Sequence, residues 1–253
     1  LYGIESGASF DHTVIDEAQD FSPFQVSLLR LFTKSDSFTI LGDLSQGIHS
    51  YQGIDRWADF SELFPEEQRG YFQLERSYRS TTEIIYFANE VLKRSPVETP
   101  LAIPVFRGGE PVMIASVKPD AVSRTIGEEI RRLQAAQHVS TIAVIGRTES
   151  ECKAIHTALT RSGLEPHLIE ASMKSYAGGL SVVPVYLAKG LEFDAVLISG
   201  VDAEQYKQTS DDAKLLYVAC TRALHELQLF YSGQPSPLID GVAGDFVQTR
   251  QKA

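Results

Sequence analysis

Strand-length apolar runs alternate with helix-length amphipathic segments along most of the 253 residues, the pattern of a parallel sheet covered by helices. A chain of βα units is therefore expected. Thr13 to Ile15 reads as the first strand. In Ser22-Pro23-Phe24-Gln25, Ser22 can cap a helix, Pro23 suits its first turn and Gln25 completes a capping box. Phe38 to Leu41 reads as the next strand, ending at Gly42-Asp43. From Gly70 the pattern restarts with a strand at Tyr71 to Leu74, a loop through Arg79, and a second capping box at Ser80-Thr81-Thr82-Glu83 that opens a helix. Ser95 to Gly109, with three prolines and two glycines, reads as a loop. Strands at Val112 to Val117, Thr141 to Gly146, Ser181 to Tyr186, Ala195 to Ser199 and Glu226 to Tyr231 follow. Helices at Asp120 to Ala136, Glu149 to Arg161 and Asp211 to Arg222 separate several of them, and the last twenty residues read as a loose tail.

The change of pattern near Pro65 to Gly70 sets the expected division into 1–66 and 67–253. Two strands and two helices do not easily enclose a core, so the first piece is expected to need strands from preceding sequence. The charge balance is acidic, Lys+Arg 23 against Asp+Glu 33 for a net −10, which argues against a general polyanion-coating protein. No apolar run approaches the roughly 20 residues of a membrane span, and no secretion signal opens the chain. A soluble, cytoplasmic protein is expected. Cys152 and Cys220 lie far apart without CxxC spacing, so reduced thiols and no zinc are expected.

Asp16 and Glu17 follow a β-branched strand, which places adjacent carboxylates at the edge where open α/β sheets bind ligands. One can hold Mg²⁺ through water while its neighbour orients an attacking water. A bare Asp-Glu pair reads more readily as a solvated acidic turn leading to a helix. The run Asp16-Glu17-Ala18-Gln19-Asp20, followed by Leu41-Gly42-Asp43-Leu44-Ser45-Gln46, adds a second strand end with its own polar group.

These segments resemble the UvrD/Rep/PcrA group of superfamily 1 helicases. Val14 to Asp20 is similar to motif II, Leu41 to Gly53 to motif III, Leu74 to Thr81 to motif IV, Val185 to Phe193 to motif V and Leu216 to Ala223 to motif VI. Five motifs in order make the signal. The resemblance implies an α/β fold: a second RecA-like domain, with a parallel sheet and helices on both faces, plus the C-terminal remnant of a first. It implies ATP and Mg²⁺ as cofactors, with Asp16 on the metal, Glu17 activating water and Gln46 sensing the γ-phosphate. Tyr78 would stack on adenine, Glu192 would contact ribose, and Gly190 belongs to the same nucleotide-binding set. Arg79 and Arg222 would reach the γ-phosphate, where a guanidinium fork stabilises spreading charge. His49, Tyr51 and Tyr186 fall where the family faces nucleic acid.

No G-x-x-x-x-G-K-[ST] loop occurs. In the family that loop lies upstream of motif II, so a C-terminal motor portion is expected, partnered by a missing N-terminal half and inactive alone. Arg79 to Lys189 spans 110 positions already used by βα units, which leaves no room for the inserted subdomain of larger helicases. Motif III has lost both usual arginines at His49-Ser50-Tyr51-Gln52-Gly53, and motif V has Pro184-Val185-Tyr186 for Thr-x-His. Gly42 to Gly47 and Val185 to Asp194 look most like the HelD branch, which would make core RNA polymerase a partner. A UvrD or helicase IV-like DNA helicase acting on single-stranded DNA is the alternative. A non-catalytic, nucleotide-gated interaction module is the third.

Overall fold

The computed structural model describes residues 9–48, 53–54, 56–96, 100–105, 108–136, 138–173 and 178–252. The chain divides into two compact units, 1–74 and 75–253.

In the first unit, β1 (Thr13–Ile15) and β2 (Phe38–Ile40) pair in parallel, with Ile15 opposite Ile40. Between them runs α1 (Pro23–Arg30), opened by the expected capping box: Ser22 caps Gln25 N–H, and the Gln25 side chain accepts from Ser22 N–H. A short α2 (Ala58–Ser61) follows. Ile15, Ala18, Val26, Ile54 and Phe60 form a small buried core. Val14 on the other face of β1 is 60% exposed.

The second unit begins with β3 (Arg76–Ser77), α3 (Thr82–Lys93) and β4 (Ile103–Pro104), and β3 pairs with β4. Then come β5 (Val112–Val117), α4 (Val122–Gln134), β6 (Ile142–Gly146), α5 (Glu149–Arg161), β7 (His167–Leu168) and β8 (Leu180–Pro184). β9 (Phe193–Ile198), α6 (Ser210–Cys220), β10 (Ala223–Tyr231) and β11 (Val247–Lys252) complete it. Seven strands form one all-parallel sheet in the order β11-β5-β10-β9-β6-β8-β7. Alternation along each strand feeds two cores. Ala143 and Ile145 join Ile114, Val183 and Ile198 under α3 and α6, while Ile142 and Val144 join Ala115, Val182 and Leu197 under α4 and α5. Cys152 and Cys220 are free and buried in different cores, and burial pushes the Cys152 thiol up to about 12. No described helix is long and apolar enough to cross a membrane.

Three local expectations are corrected. Tyr71 to Leu74 is not a strand, and Tyr71, Phe72 and Leu74 are exposed. Pairing starts at Arg76 instead, where Ile103 N–H finds the Glu75 carbonyl at 2.7 Å. Ser80 forms no capping box. Its buried hydroxyl donates to the Ala223 carbonyl at 2.6 Å, and Thr81 takes the N-cap position without a side-chain cap bond. The last twenty residues are not loose: Leu238, Ile239 and Val242 are buried, and β11 pairs with β5 over six residues.

The β9 start is tied to the segment before β6 by Asp194. Its Oδ2 accepts Ser140 N–H at 2.7 Å, Thr141 N–H at 2.9 Å and the Thr141 hydroxyl at 3.1 Å. Burial works to raise its pKa, but these donors outweigh it and hold the carboxyl below its ordinary value. A depressed carboxyl pKa gives stability that is present above the ordinary value and is lost as pH falls through the folded value. Asp194→Ala is therefore expected to lower urea-unfolding stability by about 1–3 kcal/mol at neutral pH. That difference should shrink on acidification, and a constant gap at all pH would contradict the assignment.

Candidate functional site

Because β1 and β2 run parallel, their C-terminal ends share one edge, and Leu41 N–H closes onto the Ile15 carbonyl at 2.8 Å. Asp16 is exposed there, its Oδ1 accepting Glu17 N–H at 2.8 Å. Glu17 holds a left-handed backbone, φ 52° and ψ 38°. A non-glycine residue in that region carries strain of order 1–2 kcal/mol, and such strain clusters at functional sites. The strain falls on the residue that the family resemblance would assign to water activation.

Gln19 organises this edge and was not singled out by sequence reasoning. It is 1% exposed, donates through Nε2 to Glu17 Oε2 at 2.6 Å and accepts Asp43 N–H through Oε1 at 2.9 Å. Its backbone carbonyl receives Ile54 N–H at 3.2 Å. Two glycines admit it: a Cβ on Gly42 would lie 2.5 Å from Gln19 Oε1, and one on Gly53 would lie 2.0 Å from the Gln19 carbonyl oxygen. Those glycines, near the two ends of motif III, were the available signal. Asp43 in turn accepts Ser45 N–H at 2.9 Å and the Gln46 Nε2 amide at 2.8 Å. Asp16, Glu17 and Gln46 thus belong to one connected strand-end assembly. His49 and Tyr51 lie outside the described residues.

The donor chemistry suits Mg²⁺, a hard cation that prefers oxygen and keeps several waters. Asp16 offers an exposed carboxylate, and among the described residues no three His, Cys, Asp or Glu side chains converge into a protein cage. One or two carboxylates plus phosphate oxygens is the usual Mg²⁺ arrangement in nucleotide sites.

In the second unit, the segment 185–192 runs from the end of β8 to the start of β9 and gathers motif residues around its last turn. Arg79 pairs with Glu192 at 2.9 Å, with both side chains roughly half exposed. The preceding Tyr78 is 66% exposed, open for stacking. Ser80 and Thr81 are pinned to the start of β10 through the carbonyls of Ala223 and Leu224. Phe193 N–H meets the Arg222 carbonyl at 3.0 Å, and Gly190 supplies the left-handed turn at φ +78°. Arg222 itself is 1% exposed and turned inward. It donates from Nε to the Val218 carbonyl at 3.1 Å, from Nη1 to the Leu191 carbonyl at 3.4 Å and from Nη2 to the Thr221 hydroxyl at 3.3 Å. Arg79, Gly190, Glu192 and Arg222 are therefore brought together, with Tyr78 preceding Arg79 in the chain. Tyr186 stands apart, its hydroxyl bonded to Glu149 in the first turn of α5.

An all-parallel sheet with helices on both faces, carrying these residues on one loop cluster, defines the second unit as a RecA-like domain of the helicase type. The solved C-terminal domain of a possible DNA helicase from Lactobacillus plantarum WCFS1 is similar to this chain, with a TM-score of 0.56 and 34% identity. The match covers 68% of this chain and 98% of that one. The UvrD/REP helicase N-terminal domain family matches residues 5–62, and two UvrD-like helicase C-terminal domain families match 72–177 and 179–230. The chain belongs to the UvrD-like helicase family. Among curated relatives, ATP-dependent DNA helicase PcrA of Staphylococcus epidermidis is 26% identical over 173 residues, 66% of this chain. ATP-dependent DNA helicase UvrD2 of Mycobacterium tuberculosis is 30% identical over 169 residues, 60% of this chain. The chain spans 23% of the length of each.

Proposed function

We propose that these residues are a motor portion of an ATP-dependent superfamily 1 translocase acting on single-stranded nucleic acid. The gathering of Arg79, Glu192 and Arg222 around one turn of the second unit carries the reading. Bound Mg²⁺ and ATP supply the scissile phosphoanhydride and the charge that the protein must neutralise. In the first unit, Asp16 would hold the metal, Glu17 would orient and deprotonate the attacking water, and Gln19 fixes the Glu17 carboxylate. Gln46 responds to the γ-phosphate, its amide already set by Asp43. In the second unit, Arg79 reaches phosphate by exchanging the Glu192 carboxylate for phosphate oxygens, and Tyr78 stacks on the base. Arg222, which the resemblance would send to the γ-phosphate itself, is instead 1% exposed and works from behind, fixing the Leu191 turn and so the position of Glu192. These residues hold no G-x-x-x-x-G-K-[ST] loop, and ATP turnover by them alone is not expected.

Tyr51 is the proposed stacking surface for a base. Tyr51→Ala is expected to weaken oligo(dT) binding about tenfold or more in fluorescence anisotropy, since base–aromatic stacking contributes about 1–3 kcal/mol. Unchanged affinity would count against this role.

A second reading, remodelling of RNA polymerase in the manner of the HelD branch, is favoured by the sequence of 42–47 and 185–194 and by the loss of motif III arginines. Capture of core polymerase by the protein containing these residues is its test, and failure to capture removes it. The relatives named above are PcrA and UvrD helicases, and family membership carries both readings equally.

A further inference from the structure

The turn that carries Gln19, Ala18–Asp20, is fastened to the end of β2. Ala18 N–H bonds the Leu41 carbonyl at 2.8 Å, and Gln19 Oε1 accepts Asp43 N–H at 2.9 Å. The other end of the same amide, Nε2, donates to Glu17 Oε2 at 2.6 Å. A backbone donor on one side and a carboxylate on the other fix which way the amide faces. Glu17 is held by that bond in a left-handed conformation, φ 52° and ψ 38°. For a non-glycine residue this basin is separate from the right-handed and extended ones and less favourable, so Glu17 has a discrete alternative to relax into.

A second grip comes from the far end of motif III. The Gln19 backbone carbonyl accepts Ile54 N–H at 3.2 Å, and a Cβ on Gly53 would fall 2.0 Å from that oxygen. Backbone meets backbone here, with no side chain between to absorb movement. Displacing Gly53 therefore either carries the Gln19 peptide along or breaks its bond to Ile54. Ile54 is 5% exposed, in one core with Ile15 and Ala18, which anchors the segment on its C-terminal side. Tyr51, the proposed stacking residue, precedes Gly53 by two positions.

We propose that Gln19 is a positioning residue that couples the Gly53–Ile54 segment to the Glu17 carboxylate. Nucleic acid held at Tyr51 keeps Gly53 against the Gln19 carbonyl, Gln19 stays seated between Asp43 and Glu17, and Glu17 keeps the conformation that serves hydrolysis. Withdrawal of Gly53 unseats the amide and lets Glu17 relax. The inference rests on the translocase reading, which gives Glu17 the attacking water and Tyr51 the base.

The test is steady-state Mg²⁺-dependent ATP hydrolysis by the protein containing these residues, with and without saturating oligo(dT), for wild type, Gln19→Leu, Gly53→Ala and the double variant. Gln19→Leu keeps the buried volume and removes both side-chain bonds. The readout is the ratio of stimulated to unstimulated rate, because unfolded protein lowers both rates alike and leaves the ratio unchanged. Gln19→Leu should cut the ratio by about fivefold or more, the lower end of ordinary coupling between sites. Gly53→Ala, which pushes on the same carbonyl from the loop, should also lower it, and the double variant should fall no further than Gln19→Leu alone. A wild-type ratio in Gln19→Leu, or losses that multiply in the double variant, overturns the coupling and leaves the translocase reading standing. A wild-type rate that oligo(dT) does not raise overturns both.

Discussion

Ending the chain at Gly233 is expected to abolish cooperative unfolding of the second unit. The segment that follows β10 inserts Leu238, Ile239 and Val242 beneath the α3 and α6 side of the sheet, at 0%, 2% and 8% exposure. Each buried aliphatic side chain contributes about 1.5–3 kcal/mol. Their joint loss approaches the whole stability of an ordinary domain, about 5–15 kcal/mol. The deletion also removes the Ser236 hydroxyl from the Tyr206 carbonyl, a bond of 2.7 Å, and strips β5 of its six-residue partner β11. Circular dichroism under a thermal or urea ramp reads the result. A truncated protein that unfolds with the wild-type midpoint would show that the segment is dispensable.

Arg222→Ala should cost about 3 kcal/mol of folding stability, whatever it does to chemistry. The side chain is the largest of the fully buried ones, and its guanidinium bonds two carbonyls and a hydroxyl. Truncation opens a cavity and leaves the Leu191 and Val218 carbonyls without these donors. Arg222→Lys should recover little, because one ammonium cannot span donors that a planar fork reaches. Urea unfolding of both variants provides the measure. Wild-type stability in Arg222→Ala would mean that the guanidinium is held for phosphate alone, and that its inward position contributes nothing to the fold.

Much of the fold was legible because burial leaves a periodic mark. The runs at Val112 to Val117 and Ile142 to Gly146 are apolar on both faces, as strands covered on both sides must be. The tail was not legible, since β11 reads Val-Gln-Thr-Arg-Gln-Lys and joins the sheet through its backbone, which asks little of its side chains. Gly241 and Gly244 within the tail, and Gly233 just before it, take positive φ where the chain turns toward β11. The second capping box failed for a related reason. Ser80 met the local pattern, but its hydroxyl serves a carbonyl 143 residues away, which no local window contains. For the site, the order of the motifs placed Arg79, Glu192 and Arg222, which the fold gathers at one turn. Sequence did not reveal that Gln19 ties Glu17 to Asp43, because a buried amide between two loops has no spacing of its own.

The most direct test of the motor account is Mg²⁺-dependent ATP hydrolysis by these residues joined to a segment carrying a G-x-x-x-x-G-K-[ST] loop, compared with the chain alone and with Glu17→Gln in each. The account predicts no turnover by the chain alone. The joined protein should hydrolyse ATP at a rate that Glu17→Gln lowers by about 10² or more, the usual contribution of a positioned general base. Turnover by the chain alone, or a joined protein indifferent to Glu17→Gln, would contradict it.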